Sequence, residues 1–257
     1  MLPKPLPTLA INLDRDADRF QRLAAAFAGK RAFALRRVPA LLGSTLPDAA
    51  VASLTRGRPG HPRGALGCTL SHVAAWECVA RGGAAWTLIL EDDAVPLGVE
   101  RLFGVALPDD ADFVAITRRG DMFRRKGRET PRAVPLVEHV LAKASLRPGE
   151  RRAPGAEGYL LSRQGARALL AAVGRDGFHG FVDWRLWRYG IGEEDIARIG
   201  DPLLAGVLGK QPNAARDPIY RAYALSPGLI KHPPGDSRRK RVDDEGVRPP
   251  PPDQGQA

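Results

Sequence analysis

Aromatic residues make up only 6% of the 257-residue chain, and there are only two cysteines. So few rings leave the core to Ala, Leu and Val. Cys68 and Cys78 form no C-x-x-C pair, and both fall in a helix predicted from Cys68 to Ala80. Along a helix they stand roughly 15 Å apart, too far for a disulfide. The expectation is two reduced, packed thiols in a cytosolic protein. No run approaches the roughly 18 apolar residues of a membrane span. The Pro-rich start, Met1–Pro7, lacks the apolar stretch of a secretory signal. Contact with a membrane is therefore expected only from its surface. The five histidines are scattered without ligand spacing, which counts against a His-rich metal hydrolase. Internal repeats are absent as well.

What is abundant is positive charge. Lys and Arg number 39 against 29 Asp and Glu, for a net charge of +10. That balance suits an anionic partner: nucleic acid, an anionic membrane surface or a phosphorylated substrate. Residues 118–152 carry much of the excess. The basic stretch 118–132 reads as a mobile loop, with Phe123 as its lone aromatic. Nucleic-acid binding by stacking needs interleaved aromatics, so no nucleic-acid partner is expected.

A chain of this length holds one large α/β domain or two small ones. Thr8–Leu13 reads as a buried strand. A helix then runs to about Ala28, with Phe20, Leu23, Ala24 and Phe27 on one face and Gly29 as its stop. This strand–turn–helix opening is typical of an α/β nucleotide-binding domain. Phe33–Ala40, Trp86–Leu90, Asp112–Thr117, Leu136–Ala142 and Gly158–Leu161 read as further strands. Ser162 caps the next helix, and Phe181–Tyr189 is a short aromatic helix or turn. The domain is expected to end near residue 230. Residues 231–257 are Pro-rich and charged and read as a disordered tail.

Four groups of residues carry chemistry. The apolar run Trp86–Leu90 stops at Glu91-Asp92-Asp93. Adjacent carboxylates at a strand's carboxyl end repel one another unless a cation is present, and hard divalent ions share such oxygens with substrate phosphates. A solvated acidic turn is the plainer alternative. Gly64-Ala65-Leu66-Gly67-Cys68-Thr69-Leu70-Ser71-His72, with Trp76, opens a helix, and helix N-termini bind anions. A His there also serves as a cap or in packing. Asn12, Arg15 and Arg19 follow the first strand, as phosphate contacts or as solvated side chains. Asp183 sits between aromatics, as a base or as a helix cap.

In order, these blocks resemble glycosyltransferase family 25. Ile11-Asn12-Leu13-Asp14-Arg15 with Arg19, then Arg37-Val38-Pro39-Ala40 with Gly43, resemble its opening. Gly64 to His72 with Trp76 is similar to its Gly-Glu-x-Gly-Cys-x-x-Ser-His block. Leu88 to Asp93 is similar to its acidic block, Gly158 to Ala166 to its Ala-Tyr-x-x-Ser-x-x-Gly-Ala block, and Val182-Asp183 to its Val-Asp step. Ala65 stands where the family usually has Glu, and Gly158 where it usually has Ala. The resemblance implies a single GT-A-like, Rossmann-type α/β domain with a mixed central sheet and helices on both faces. It implies an inverting transfer of a sugar, galactose above all, from a UDP-sugar to a glycan acceptor that can be lipid-linked. Bacterial lipopolysaccharide or surface polysaccharide is the expected product, made in the cytoplasm or at the inner face of the membrane. Asp93 with Glu91 or Asp92 would hold Mn²⁺ or Mg²⁺. Asn12, Arg15, Arg19, Gly67, Ser71 and His72 would lie near the nucleotide, and Asp183 would be the base or an acceptor ligand. A weak or inactive member that only binds a sugar nucleotide or a partner is the alternative that Ala65 raises.

Overall fold

The computed structural model describes residues 2–58, 61–118, 130–144 and 154–232. The basic stretch at 119–129 and nearly all of the expected tail, 233–257, lie outside the described residues.

The strands are β1 (Leu6–Asn12), β2 (Phe33–Pro39), β3 (Trp86–Glu91), β4 (Val95–Pro96), β5 (Phe113–Ala115), β6 (Arg132–Pro135), β7 (Gly158–Ser162), β8 (Ala222–Ser226) and β9 (Ile230–Lys231). The helices are α1 (Ala17–Phe27), α2 (Asp48–Leu54), α3 (Arg63–Arg81), α4 (Leu136–Ala144), α5 (Arg163–Asp176), α6 (Val182–Gly190), α7 (Glu193–Ala197) and α8 (Pro202–Gly209). Seven strands form one sheet in the order β2-β1-β3-β7-β5-β8-β6, and β4 pairs with β9. β1 runs parallel to β2 and β3, and β5 runs parallel to β8. β7 lies antiparallel between β3 and β5, so the sheet is mixed.

Alternation along β3 explains why its sequence is apolar throughout. Ile89 faces Ala75, Trp76 and Val79 of α3 and Leu169 of α5. Leu88 and Leu90 face Leu23 and Phe27 of α1 and Leu102. Both faces are covered, so Thr87–Leu90 are buried and only the strand's two end residues are half-buried. Each buried Leu stabilises the fold by roughly 1.5–3 kcal/mol. The apolar run ends at Leu90, and the half-buried acids follow it.

Ser162 caps α5 as expected, accepting from Gly165 N at 2.8 Å. One element differs in type. Leu136–Ala142, expected as a strand, lies within α4, and the strand of this region is β6, just before it. Leu136 and Val140 are buried one helical turn apart, and His139 beside them is also buried. That spacing of three and four is the helical one, which the Val and Leu content obscures. α3 also begins earlier than expected, at Arg63, so Ser71 and His72 lie in its middle. β8, α2, α7 and α8 had no counterpart in the sequence reading.

Candidate active site

Antiparallel β7 brings its amino end to the edge where β1 and β3 finish. Leu90 pairs with Gly158, and Glu91 N donates to Glu157 O at 3.2 Å. Glu91, Asp92 and Asp93 therefore meet Asn12 from β1 and Glu157 from β7 at one place.

The acids are held rather than solvated. Arg19 projects from α1 and is 6% exposed. Its Nε lies 3.1 Å from Asp92 Oδ1, and its Nη2 lies 2.8 Å from Asp93 Oδ2. Asn12 Nδ2 donates to Asp92 Oδ2 at 2.7 Å and to Asp16 O at 2.8 Å. Asn12 Oδ1 in turn accepts from Arg37 Nε at 2.8 Å. His232 Nε2 lies 3.1 Å from Asp93 Oδ2. Burial, more than any other cause, pushes the Asp92 carboxyl up to about 6, against the opposing pull of Asn12 and Arg19.

Glu91 ends a hydrogen-bonded chain. Trp76 Nε1 can only donate, and it donates to Tyr159 Oη at 2.8 Å. Tyr159 Oη lies 2.8 Å from His72 Nδ1, and His72 Nε2 lies 3.2 Å from Glu91 Oε1. The arrangement that satisfies every group has the Tyr159 hydroxyl donating to Nδ1 and Nε2–H donating to Glu91. His72 is 0% exposed, so such satisfaction matters here. Cys68, His72 and Glu91 also offer ligand atoms within 4.8 Å of one another. A metal held by all three would have to displace one of the two partners of His72, so the chain is the better account of that ring.

The acids at the strand end fit a divalent ion better. Asp93 Oδ1 is buried and has no hydrogen-bond partner among the described residues. A buried, unpartnered carboxylate oxygen beside two further carboxylates is what Mg²⁺ or Mn²⁺ would complete. Asp93 and Glu91 are the side chains that could hold such an ion.

The remaining expected residues divide. Arg15 is half-exposed, 3.9 Å from Asp16, and does not join the cluster by that contact. Gly67 lies inside α3, where a Cβ would meet Gly43 N at 2.5 Å and Leu41 O at 2.7 Å. Ser71 Oγ accepts from Leu41 N at 2.8 Å and donates to Gly67 O at 2.6 Å. Both residues seat α3 on the 41–43 segment. Asp183 lies in the first turn of α6, its Oδ1 accepting from Trp184 N at 2.9 Å. Ala65 is buried in α3 at 1% exposure. Gly158 has a local reason, since a Cβ there would meet Ile230 Cγ1 at 2.7 Å.

His232, Arg37 and Glu157 were not expected as site residues. Glu157 is buried and accepts from Thr117 Oγ1. Arg37 had a signal in its place in the second block. His232 follows the last strand and had none.

Solved structures resemble the chain, two of them as follows. One is a glycosyltransferase involved in the glycosylation of the major capsid of PBCV-1, with 8% identity and a TM-score of 0.42, covering 94% of this chain and 99% of that one. The other is the galactosyltransferase LgtC in complex with donor and acceptor sugar analogues, with 14% identity and a TM-score of 0.41, covering 95% and 98%. The family model of glycosyltransferase family 25, described as an LPS biosynthesis protein, matches residues 6–176. That span contains the strand-end acids, Arg19, Asn12 and the whole chain from Trp76 to Glu91, and the protein belongs to glycosyltransferase family 25.

Proposed function

We propose that the protein transfers a sugar, galactose above all, from a UDP-sugar to a hydroxyl of a glycan acceptor. The observation that carries this reading is Asp93 Oδ1, buried among the acids of the β3 end without a hydrogen-bond partner among the described residues. Asp93 and Glu91 would hold Mn²⁺ or Mg²⁺ there. The ion, when bound, neutralises charge that grows on the departing diphosphate. Arg19 keeps Asp92 and Asp93 in register while the donor enters. The Trp76–Tyr159–His72 chain keeps Glu91 pointed at the same place.

Inversion at the sugar carbon needs one in-line displacement with a base on the acceptor hydroxyl. Asp183 takes that part, or binds the acceptor. The family's description supports an acceptor in lipopolysaccharide or a related surface glycan, lipid-linked where the acceptor is membrane-bound. No described helix is long and apolar enough to cross a membrane. The net charge of +10 supports peripheral contact with an anionic inner leaflet from the cytoplasm.

A second reading has Ala65 in its favour. A buried methyl replaces the usual carboxylate of the neighbouring block, which suits a member that binds a sugar nucleotide without transferring it. Incubation with a panel of UDP-sugars and Mn²⁺, with free UDP as readout, separates the two. Turnover with one donor supports the transferase, and binding of donor without UDP release supports the binder. Asp183→Asn tests the base: turnover should fall far more than donor affinity, and a defect confined to donor binding rejects the role.

A further inference from the structure

A second polar cluster lies outside the acidic strand end. It is built by the segment between α2 and α3, the segment before α6, and α6 itself. Arg185 of α6 is 1% exposed. Its Nη1 donates to Gly177 O at 2.8 Å and to His179 O at 3.0 Å, and its Nη2 donates to Tyr189 Oη. Arg185 Nε has no hydrogen-bond partner among the described residues. No carboxylate among them forms an ion pair with this guanidinium. The nearest acid along the network is Asp176, reached through Tyr189 Oη at 3.1 Å and already paired with Arg175 at 2.9 Å. A buried cation without its own counter-ion is costly unless something else supplies the charge.

Histidines complete the cluster. His179 is 8% exposed, and neither of its ring nitrogens has a partner among the described residues. His61 Nε2 is buried without a partner as well. Gly177 and Gly180 have φ of 82° and 92°, the left-handed region, and their turns deliver His179 to this place. Burial first, then the charges of Arg58, Arg185, His61 and Arg56, hold the His179 ring down to about 4. Burial and Arg185 lower His61 too. Both rings are thus neutral at pH 7, each with one N–H to give. The His61 and Phe181 rings, 6.3 Å apart, and exposed Arg56 and Arg58 lie toward solvent.

We propose that His61, His179, Arg185 and Arg58 form a binding site for a phosphoryl group. The surrounding arginines repel a metal ion, so the histidines are not cation ligands. Nitrogen donors arrive from three chain segments, which suits a tetrahedral oxyanion with several free oxygens. Charge-assisted hydrogen bonds of that kind are strong, and the anion supplies the counter-charge that Arg185 lacks. The phosphoryl group comes either from a phosphate ester on a sugar or from free phosphate. The site does not depend on the transferase reading, because its test measures binding alone.

The test uses the full chain without added metal. Inorganic phosphate, glucose 6-phosphate and glucose are titrated in turn, following the His61 and His179 ring signals by NMR, assigned with His61→Asn and His179→Phe. Phosphate should shift both signals saturably, and glucose should not. Arg58→Ala and His179→Phe should each weaken phosphate binding tenfold or more, while Asp93→Asn leaves it unchanged. Glucose 6-phosphate binding as well as phosphate assigns the site to esters, and its failure assigns the site to free phosphate. Absence of a saturable shift, or equal affinity in wild type and Arg58→Ala, overturns the proposal. Arg58 is exposed, so that variant decides the matter even where His179→Phe fails to fold.

Discussion

Arg19 Nη2 lies 2.8 Å from Asp93 Oδ2, in a pair whose side chains are 7% and 9% exposed. The same guanidinium reaches Asp92, so one cation from α1 holds two acids of the β3 end. Removing it leaves buried carboxylates facing one another. Arg19→Ala should lower unfolding stability by about 3–5 kcal/mol in metal-free buffer, by denaturant titration. Under the proposed metal site, Mn²⁺ should restore part of the loss, since a ligand that binds only the folded state stabilises it by mass action. An unchanged midpoint in Arg19→Ala would show that the pair does not hold the site.

Asp92 sets a pH dependence. Its carboxyl is pushed up to about 6 in the fold, above the ordinary carboxylate value of 3.8. A raised acid favours the unfolded chain wherever it is ionised in both states. The penalty is therefore complete above pH 6 and vanishes below about 4, and at its greatest is about 3 kcal/mol. The stability difference between Asp92→Asn and wild type should favour the variant most at pH 7–8 and shrink between pH 6 and 4. A pH-independent difference contradicts the assignment.

Tyr159 links Trp76 to His72. Tyr159→Phe keeps the ring and removes the hydroxyl, leaving the Trp76 N–H and one His72 nitrogen unsatisfied in the core. A cost of about 1–3 kcal/mol is expected per group left unmatched. Long-range ¹⁵N NMR should find His72 protonated at Nε2 in the wild type. Protonation at Nδ1 in the wild type would reverse the direction of the chain.

Glycines give a paired test of packing. Gly67→Ala would place a Cβ 2.5 Å from Gly43 N, and backbone cannot move aside cheaply. A loss of about 2 kcal/mol or more is expected, in the manner of an overpacked core. Gly174→Ala, in α5 with nothing within 4 Å, should instead stabilise by about 0.5–1 kcal/mol. Equal effects at the two positions, read as melting temperatures, would refute the close approach of α3 to residues 41–43.

The strand-end cluster of acids, as a candidate site, was legible because two independent signals coincide at Leu88–Asp93. A strand buried on both faces reads as an unbroken apolar run, and its end marks the sheet edge. The family's block order then places Gly64–His72 and Asn12–Arg19 around that edge. What could not be read was how side chains are used once there. Arg19 and Asn12, expected near a nucleotide, hold Asp92. Gly67 and Ser71 serve the seating of α3. His232 reaches Asp93 from the far end of the described chain, and no local pattern announces a contact of that separation. α4 was misread because Leu and Val suit strand and helix alike, and only tertiary burial of Leu136, His139 and Val140 selects the helix. The cluster around Arg185 escaped because its members lie on segments that meet only in the fold.

The proposed transfer turns on Asp93 as the ligand of the ion that would hold the donor diphosphate. Free UDP released from UDP-galactose in the presence of glycan acceptor and Mn²⁺ measures this most directly, in wild type and in Asp93→Asn of verified fold. The account predicts metal-dependent release by the wild type and none above background by the variant. Metal-dependent release by Asp93→Asn at the wild-type rate would contradict it.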